Sequence, residues 1–285
     1  MAATIPSDLG QGLVPEGWGP RFLAALYDEH YVLPHVLNVT ADFKGKGDIV
    51  NIATEPAYTV NDVTGATGAV TLDTVTITNV TLTIDKNKSV ASELTGIARE
   101  QAFENFENQF PISAGKALRQ QMDSDLLALY SDATATSQGD GLGNLGEDEL
   151  LGAIQQLVTA KVPIMESPEE CCFAMADTQF APLKKQNFLD YNRSGQAGGG
   201  AAKIGLASIW SIPVVFSTQV ASASSIRESL LFHRSALAWA AQRNVVPRFA
   251  DRLPAAVDGY LMAVFALYGV KTTRAARMVR LRSKA

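Results

Sequence analysis

The sequence predicts a mixed α+β fold, and three observations support this prediction. Segments rich in threonine and β-branched residues between positions 45 and 90 have the composition of strands. Between positions 92 and 132, apolar residues recur at the spacing of a long helix. The rest of the chain alternates short apolar strands with short helices.

Composition and charge exclude several classes of protein. With 47% hydrophobic and 19% charged residues, the 285-residue chain is globular rather than disordered. A net charge of −5 argues against a protein that grips nucleic acid by neutralising phosphates, but not against one that encloses DNA. No run reaches the ~18 apolar residues of a membrane span, and no signal-peptide pattern opens the chain. The adjacent Cys171 and Cys172 predict a buried strand and synthesis in a reducing cytoplasm.

The first 40 residues combine prolines and glycines with large apolar side chains. Pro20 suits the first position of a short helix, and Phe22, Leu26 and Tyr27 would share one face of it. An apolar arm of this kind must lie either on its own subunit or on a neighbour.

Residues 45–90 are predicted to form a long two-stranded ribbon. Its strands cover 48–54 and 70–84, and a polar tip that contains glycine lies at 61–68. The apolar alternation of the second strand changes phase near Asn79, which predicts a bulge or bend. Because an isolated ribbon is marginal in water, it needs another surface, which points to a partner subunit.

A helix is predicted over residues 92–132, with Ser92 as its N-cap. Pro111 should kink or break this helix. If the two pieces are nearly coaxial, they span roughly 60 Å, which is long for a compact domain of this size.

The second half of the chain is predicted to contain shorter elements. A helix at 147–161 has acidic residues in its first turn and an apolar stripe. The other predicted elements are strands at 171–176, 211–217, 230–233 and 259–270, a short helix near 177–186, and a glycine-rich loop at 194–202.

The glycine spacing at 141–146 is similar to that of a dinucleotide-binding loop, but its context is wrong. The residues before it are polar and form no buried strand. Glu147, Asp148 and Glu149 occupy the helix N-terminus, where a pyrophosphate would have to bind, and would repel it. The loop at 194–202 also lacks the residues that hold a phosphate. The sequence therefore predicts no bound cofactor.

Candidate catalytic and metal-binding residues form no recognisable pattern. His30, His35 and His233 have no second ligand at helical spacing, so no metal site is predicted. A Ser–His–Asp triad stays open because its members need not be adjacent, although no Gly-x-Ser-x-Gly motif occurs. Solvated surfaces explain the possible carboxylate pairs more simply; these involve Asp62, Asp123, Asp125 and Glu169–Glu170. The sequence therefore predicts a protein that is not an enzyme.

The C-terminal stretch is strongly basic. It could be an arm that contacts DNA phosphates, or a strand with one basic face paired to carboxylates. Interleaved apolar residues favour the strand. The basic residues are Lys271, Arg274, Arg277, Arg280, Arg282 and Lys284.

The order of these parts resembles the major capsid proteins of tailed bacteriophages with the Hong Kong 97 fold. That order is an apolar arm, a long two-stranded loop, a long helix, a separate α/β region and closing strands. The segments 230–240 and 263–270 also look like closing segments of such coat proteins. The resemblance implies four parts, namely an N-terminal arm (1–40), an extended β-hairpin loop (41–90), a peripheral domain with a spine helix (91–135 and 243–275) and an axial domain (136–242 and 276–285).

The resemblance implies a function in the virion. The subunit would assemble in the host cytoplasm, through pentamers and hexamers, into an icosahedral head that encloses double-stranded DNA without sequence-specific binding. No fused scaffolding segment is evident, so a separate scaffolding protein and a portal are expected partners, with no membrane. The alternatives are an encapsulin-type compartment shell and, from another class, an α/β enzyme with dispersed catalytic residues. The expected intersubunit contacts are Trp18, Phe22, Leu26 and Tyr27 on the arm, and Val63, Thr64, Gly65 and Gly68 at the hairpin tip.

Overall fold

A computed structural model describes most of the chain. The described residues are 32–42, 48–54, 58, 60, 77–95, 106–185, 208–252 and 259–284. Residues 1–31 of the arm with their predicted helix, the hairpin tip and the loop at 194–202 therefore lie outside the described residues.

A four-stranded sheet forms one half of the described structure. Its strand order is β1-β10-β11-β4, with β1 parallel to β10 and the other neighbours antiparallel. Register shifts in β10 between Ala241 and Val246 mark an irregularity in its pairing with β11. The strands are β1 (Leu37–Asn38), β4 (Lys86–Thr95), β10 (Leu237–Arg252) and β11 (Gly259–Thr272).

The long helix α1 (Phe106–Leu127) covers this sheet and continues into a 3-10 turn at Ala128–Asp132. Leu118, Met122 and Leu126 recur every four residues, so they share one face, and all three are buried. They belong to the same apolar core as Val264 of β11. Burial of this stripe holds α1 against the sheet.

The predicted start of this helix is wrong, and so is a break at Pro111. Ser92 is not its N-cap, because Ser92 lies in β4 and pairs with Met262 of β11. The ladder offered by β11 outweighs the local capping preference. Pro111 does not break the helix, which continues to Leu127. Pro111 cannot donate an intrahelical hydrogen bond, and the burial of Leu118, Met122 and Leu126 against the sheet offsets this loss.

A six-stranded sheet forms the other half. Its order is β12-β9-β5-β7-β6, and β8 pairs with β9. Every residue of the central strand β5 is buried, and Cys171 and Cys172 are free thiols, so the prediction of a buried strand is confirmed. The strands are β5 (Cys171–Ala176), β6 (Ser208–Ile209), β7 (Ile212–Ser217), β8 (Ser222–Ala223), β9 (Ile226–His233) and β12 (Met278–Lys284).

Two short helices accompany this sheet. Helix α2 (Glu147–Thr159) confirms the helix predicted at 147–161, and its buried Leu150 and Leu157 share a core with Leu281 of β12. The helix predicted near 177–186 consists of a 3-10 turn followed by α3 (Phe180–Lys185). Within the described residues, none of the helices is long and apolar enough to cross a membrane.

The ribbon consists of β2 (Ile49–Thr54) and β3 (Thr78–Thr83), which pair antiparallel. Val50 and Leu82 are buried in a small core that also contains Ala240 of β10, so the base of the ribbon rests on the four-stranded sheet. The pairing is regular at Asn79, so the predicted bulge is wrong for the described part. The apolar residues before and after Asn79 instead lie on opposite faces of the chain. Ile77 is exposed, whereas Leu82 is buried.

The junction between the sheets and candidate assembly surfaces

Two short connections link the two sheets. The first leads from β9 to β10 through a 3-10 turn at Arg234–Ala236. The second leads from β11 to β12 through a 3-10 turn at Ala275–Arg277. Residues 233–236 and 273–277, together with Glu170, are called the junction below.

Backbone hydrogen bonds tie the two connections of the junction together. The amides of Thr273 and Arg274 donate to the carbonyl of Ala236, at 2.8 Å and 3.2 Å. The Thr273 hydroxyl donates to the carbonyl of Ser235 at 2.6 Å. The two connections are therefore bonded to each other, and a movement of one sheet relative to the other would strain these hydrogen bonds.

A polar network centred on His233 extends the junction. Nδ1 of His233 accepts the Ser235 amide at 3.2 Å and lies 2.9 Å from the Ser235 hydroxyl. Nε2 lies 3.2 Å from a carboxylate oxygen of Glu170. Arg277 donates to the Ser235 hydroxyl oxygen at 2.8 Å. Because an amide can only donate, Nδ1 is the acceptor, and the neutral ring carries its proton on Nε2.

The environment of His233 favours the neutral ring. Burial is the largest cause that lowers the pKa of His233, and the positive charge of Arg277 adds to it. Glu170 acts in the opposite direction, but its carboxylate is half exposed and its effect is screened.

The junction places a serine, a histidine and a carboxylate in contact, which is the residue set of a hydrolase triad. The arrangement fastens a turn instead. The Ser235 hydroxyl oxygen also accepts a bond from Arg277, and Nδ1 also accepts the Ser235 backbone amide. These bonds fix the hydroxyl within its own turn rather than free it to attack a substrate.

The last part of the basic C-terminal stretch forms strand β12, and its Arg280 and Arg282 are paired to a carboxylate. Glu228 of β9 is nearly buried and lies 3.1 Å from Nε of Arg280 and 3.4 Å from Nε of Arg282. The Arg280 guanidinium also stacks over Tyr130, 5.3 Å from the ring centroid. The predicted strand with a paired basic face is therefore confirmed, and the interpretation as a free DNA-binding arm loses its support.

The glycine-rich segment at 141–146 and the residues just before it cover the outer edge of β12, and the amide of Lys284 donates to the carbonyl of Gly143 at 2.8 Å. Gln138 donates to the carbonyl of Arg280 at 2.8 Å, and Arg282 donates back to Gln138 at 2.7 Å. Gly139 has a positive φ of 83°, and a Cβ there would overlap the carbonyl of Arg282. The segment thus protects an edge strand, and sequence spacing alone gave no signal of this role.

Asp123 anchors the point where the arm joins the described structure. Its carboxylate is buried and accepts the amides of Val32 and Leu33, at 3.2 Å and 3.0 Å. Asp125 accepts the Tyr268 hydroxyl at 2.6 Å instead. The two aspartates therefore serve different partners and form no catalytic pair.

Large apolar side chains are exposed on either side of the hairpin tip. Tyr58 and Ile77 are mostly exposed, and Val60 is 96% exposed. Exposed apolar residues in sequence next to the tip are consistent with a contact surface for another chain. The eight predicted contact residues lie outside the described residues; they are Trp18, Phe22, Leu26, Tyr27, Val63, Thr64, Gly65 and Gly68. Within the described ranges, no three metal-ligating side chains converge.

Solved structures share this fold over almost the whole chain. A structure from Mycobacterium phage Che8 aligns with a TM-score of 0.72 and 21% identity, covering 94% of this chain and 97% of that chain. The capsid of a native GTA particle aligns with a TM-score of 0.71 and 12% identity, covering all of both chains. The capsid of the cyanophage P-SCSP1u aligns with a TM-score of 0.68 and 13% identity, covering 99% of each chain.

The predicted α+β capsid fold is therefore confirmed. The chain has the fold of these capsid structures from end to end, with several sheets and few helices. The sequence itself matches no family model and no curated protein.

Proposed function

We propose that this chain is the major capsid protein of a tailed bacteriophage and assembles into the icosahedral head that encloses the phage DNA. The observation that carries the proposal is the likeness of fold to solved phage capsids over more than nine-tenths of both chains.

The exposed apolar side chains near the hairpin support intersubunit contacts there. The side chains of Tyr58, Val60 and Ile77 are exposed to water. Their burial against a neighbouring subunit would stabilise the contact by about 25 cal/mol for each Å² of apolar surface removed from water. The contact residues proposed from sequence, which include Trp18 and Phe22 on the arm, follow the same reasoning. Contacts between unlike patches of identical subunits are heterologous and close rings such as pentamers and hexamers.

The division into parts is also a proposal. The arm would be 1–40 and the extended loop 41–90. The four-stranded sheet with α1 supports a peripheral domain at 91–135 and 243–275, although β4 already begins at Lys86. The six-stranded sheet with β12 supports an axial domain at 136–242 and 276–285. A separate scaffolding protein and a portal complete the proposed set of partners.

Sedimentation of the purified full-length chain, expressed alone and together with its scaffolding partner, tests the proposal. A capsid protein sediments as pentamers, hexamers or closed shells, whereas an α/β enzyme sediments as a small discrete oligomer under both conditions. Deletion of residues 1–30 should leave a folded subunit that no longer forms shells, and normal shells from this variant would count against the role of the arm.

The content of the particles separates a phage head from a protein compartment. Mass spectrometry and nucleic-acid extraction of particles from infected cells should recover double-stranded DNA and no enriched enzyme. A co-purifying cargo enzyme without DNA would instead support an encapsulin-type shell.

A further inference from the structure

We propose that the junction is a proton-controlled latch, in which protonation of His233 disrupts the hydrogen bonds of the first connection and so loosens its attachment to the second. The latch is a property of the subunit and does not depend on the proposed function.

The hydrogen bond from the Ser235 amide requires that Nδ1 of His233 carry no proton. Nδ1 of His233 faces the Ser235 amide at 3.2 Å, and that amide has no other role than donor. A second proton on the ring would sit on Nδ1 and point at the amide hydrogen. The Ser235 hydroxyl, 2.9 Å from Nδ1, would have to turn and accept from the ring instead of donating to it. Protonation therefore breaks the bond from the amide and reverses the bond with the hydroxyl.

The charges around His233 reinforce this effect. Arg277 and Arg274 of the second connection both disfavour a positive ring, and Glu170 of the turn before β5 favours it. Cys171, which pairs with His233 across the ladder, is a neutral thiol because burial raises its pKa to about 12. A charged ring would face two cations and one half-exposed carboxylate within a nearly closed site.

Ser235 transmits the change to both connections. Its carbonyl holds the Thr273 hydroxyl, and its own hydroxyl holds Arg277. If the ring no longer fixes the turn at Arg234–Ala236, these contacts to the second connection weaken too. The two sheets keep their own ladders, and they share an apolar core that includes Phe232 of β9 and Val264 of β11, so the loosening is confined to the junction.

Hydrogen exchange of the full-length chain, followed by mass spectrometry, tests the latch. Exchange is measured at about pH 7.5 and about pH 5 and corrected for the chemical exchange rate, so that only protection is compared. Peptides over 231–240 should lose about tenfold or more of their protection at the lower pH, while peptides from α2 keep theirs. Equal changes in both regions, or no change at the junction, would overturn the proposal without any variant.

Two matched variants assign the effect to one ring. His233→Gln cannot gain a charge, so its junction should show the same protection at both pH values. His35→Gln removes another partly buried histidine outside the junction and should keep the response of the wild type. A response that survives in His233→Gln, or that disappears in His35→Gln, would show that His233 does not control the junction.

Discussion

At the scale of single residues, the structure assigns roles that depend on close approach and burial. Gly269 lies where β11 passes beneath the ribbon, Asp123 accepts two backbone amides, and His233 fastens a turn. Sequence spacing identified none of these roles, because Gly269 and Asp123 depend on partners distant in the chain and the turn at His233 has no sequence pattern of its own. The sequence did single out Asp123 and His233 as chemically distinctive, but not what they contact.

Substitution of Gly269 by alanine should destabilise the subunit. An added Cβ would overlap the carbonyl of Thr83, and the obstacle is backbone that cannot rotate away. We expect a loss of about 1–3 kcal/mol in the free energy of unfolding, measured by chemical denaturation. Gly143→Ala is the matched control, since its Cβ would meet no atom closer than 4.0 Å and should cost less than about 0.5 kcal/mol. Equal losses in both variants would contradict the close approach at Gly269.

Asp123→Asn should weaken the anchor of the arm. An asparagine side chain keeps one acceptor oxygen but places an NH₂ group against the other amide, so Val32 or Leu33 loses its partner. We expect a loss of about 1–3 kcal/mol, with increased proteolysis near residue 32. Asp148→Asn, at an exposed position of α2, serves as control and should leave the cleavage rate unchanged.

The stability of the wild type should fall in mild acid. The pKa of His233 in the folded chain lies below its ordinary value of 6.5, so the unfolded chain takes up the proton more readily. The free energy of unfolding is therefore unaffected above this value, decreases as the pH falls below it, and levels off once the folded form also titrates. Denaturation at a series of pH values should show a smaller decrease for His233→Gln, and an identical curve would contradict the burial of a neutral ring.

At the scale of elements, the periodicity of apolar residues predicted those strands and helices whose formation depends on neighbouring residues. The buried strand Cys171–Ala176 and helix α2 were both predicted closely, because an apolar run or stripe shows directly in sequence. The start of the long helix was wrong, because Ser92 is drawn into β4 by pairing with β11, far along the chain. The role of the glycine-rich segment before α2 became clear only from its contact with the edge of β12.

Replacement of Glu228 by glutamine should weaken the pairing of β9 with β12. The change removes the carboxylate shared by Arg280 and Arg282 and leaves two cations side by side on one strand. Both arginines are partly exposed, so solvent screens them, and we expect a loss of about 1–2 kcal/mol in thermal or chemical unfolding. Glu166→Gln, exposed in the turn after α2, is the control. Full stability of Glu228→Gln would show that the ion pairs contribute little to this edge.

At the scale of the whole molecule, the order of elements carried more information than any motif. An apolar arm, a ribbon, a long helix and closing strands predicted a capsid fold, and solved capsids share that fold at 11–13% identity. Residue identity drifts freely where only burial is required, whereas the path of the chain through two sheets and a ribbon is retained. The residues expected at intersubunit contacts stay predictions, since a single chain does not contain its neighbours.

Electron microscopy of the full-length protein, expressed alone and with its scaffolding partner, tests the central claim most directly. Closed icosahedral particles, with pentamers and hexamers resolved in a reconstruction and the arm and hairpin tip buried between subunits, are the predicted result. A small discrete oligomer under both conditions would contradict the capsid function and require another role for the arm and the ribbon.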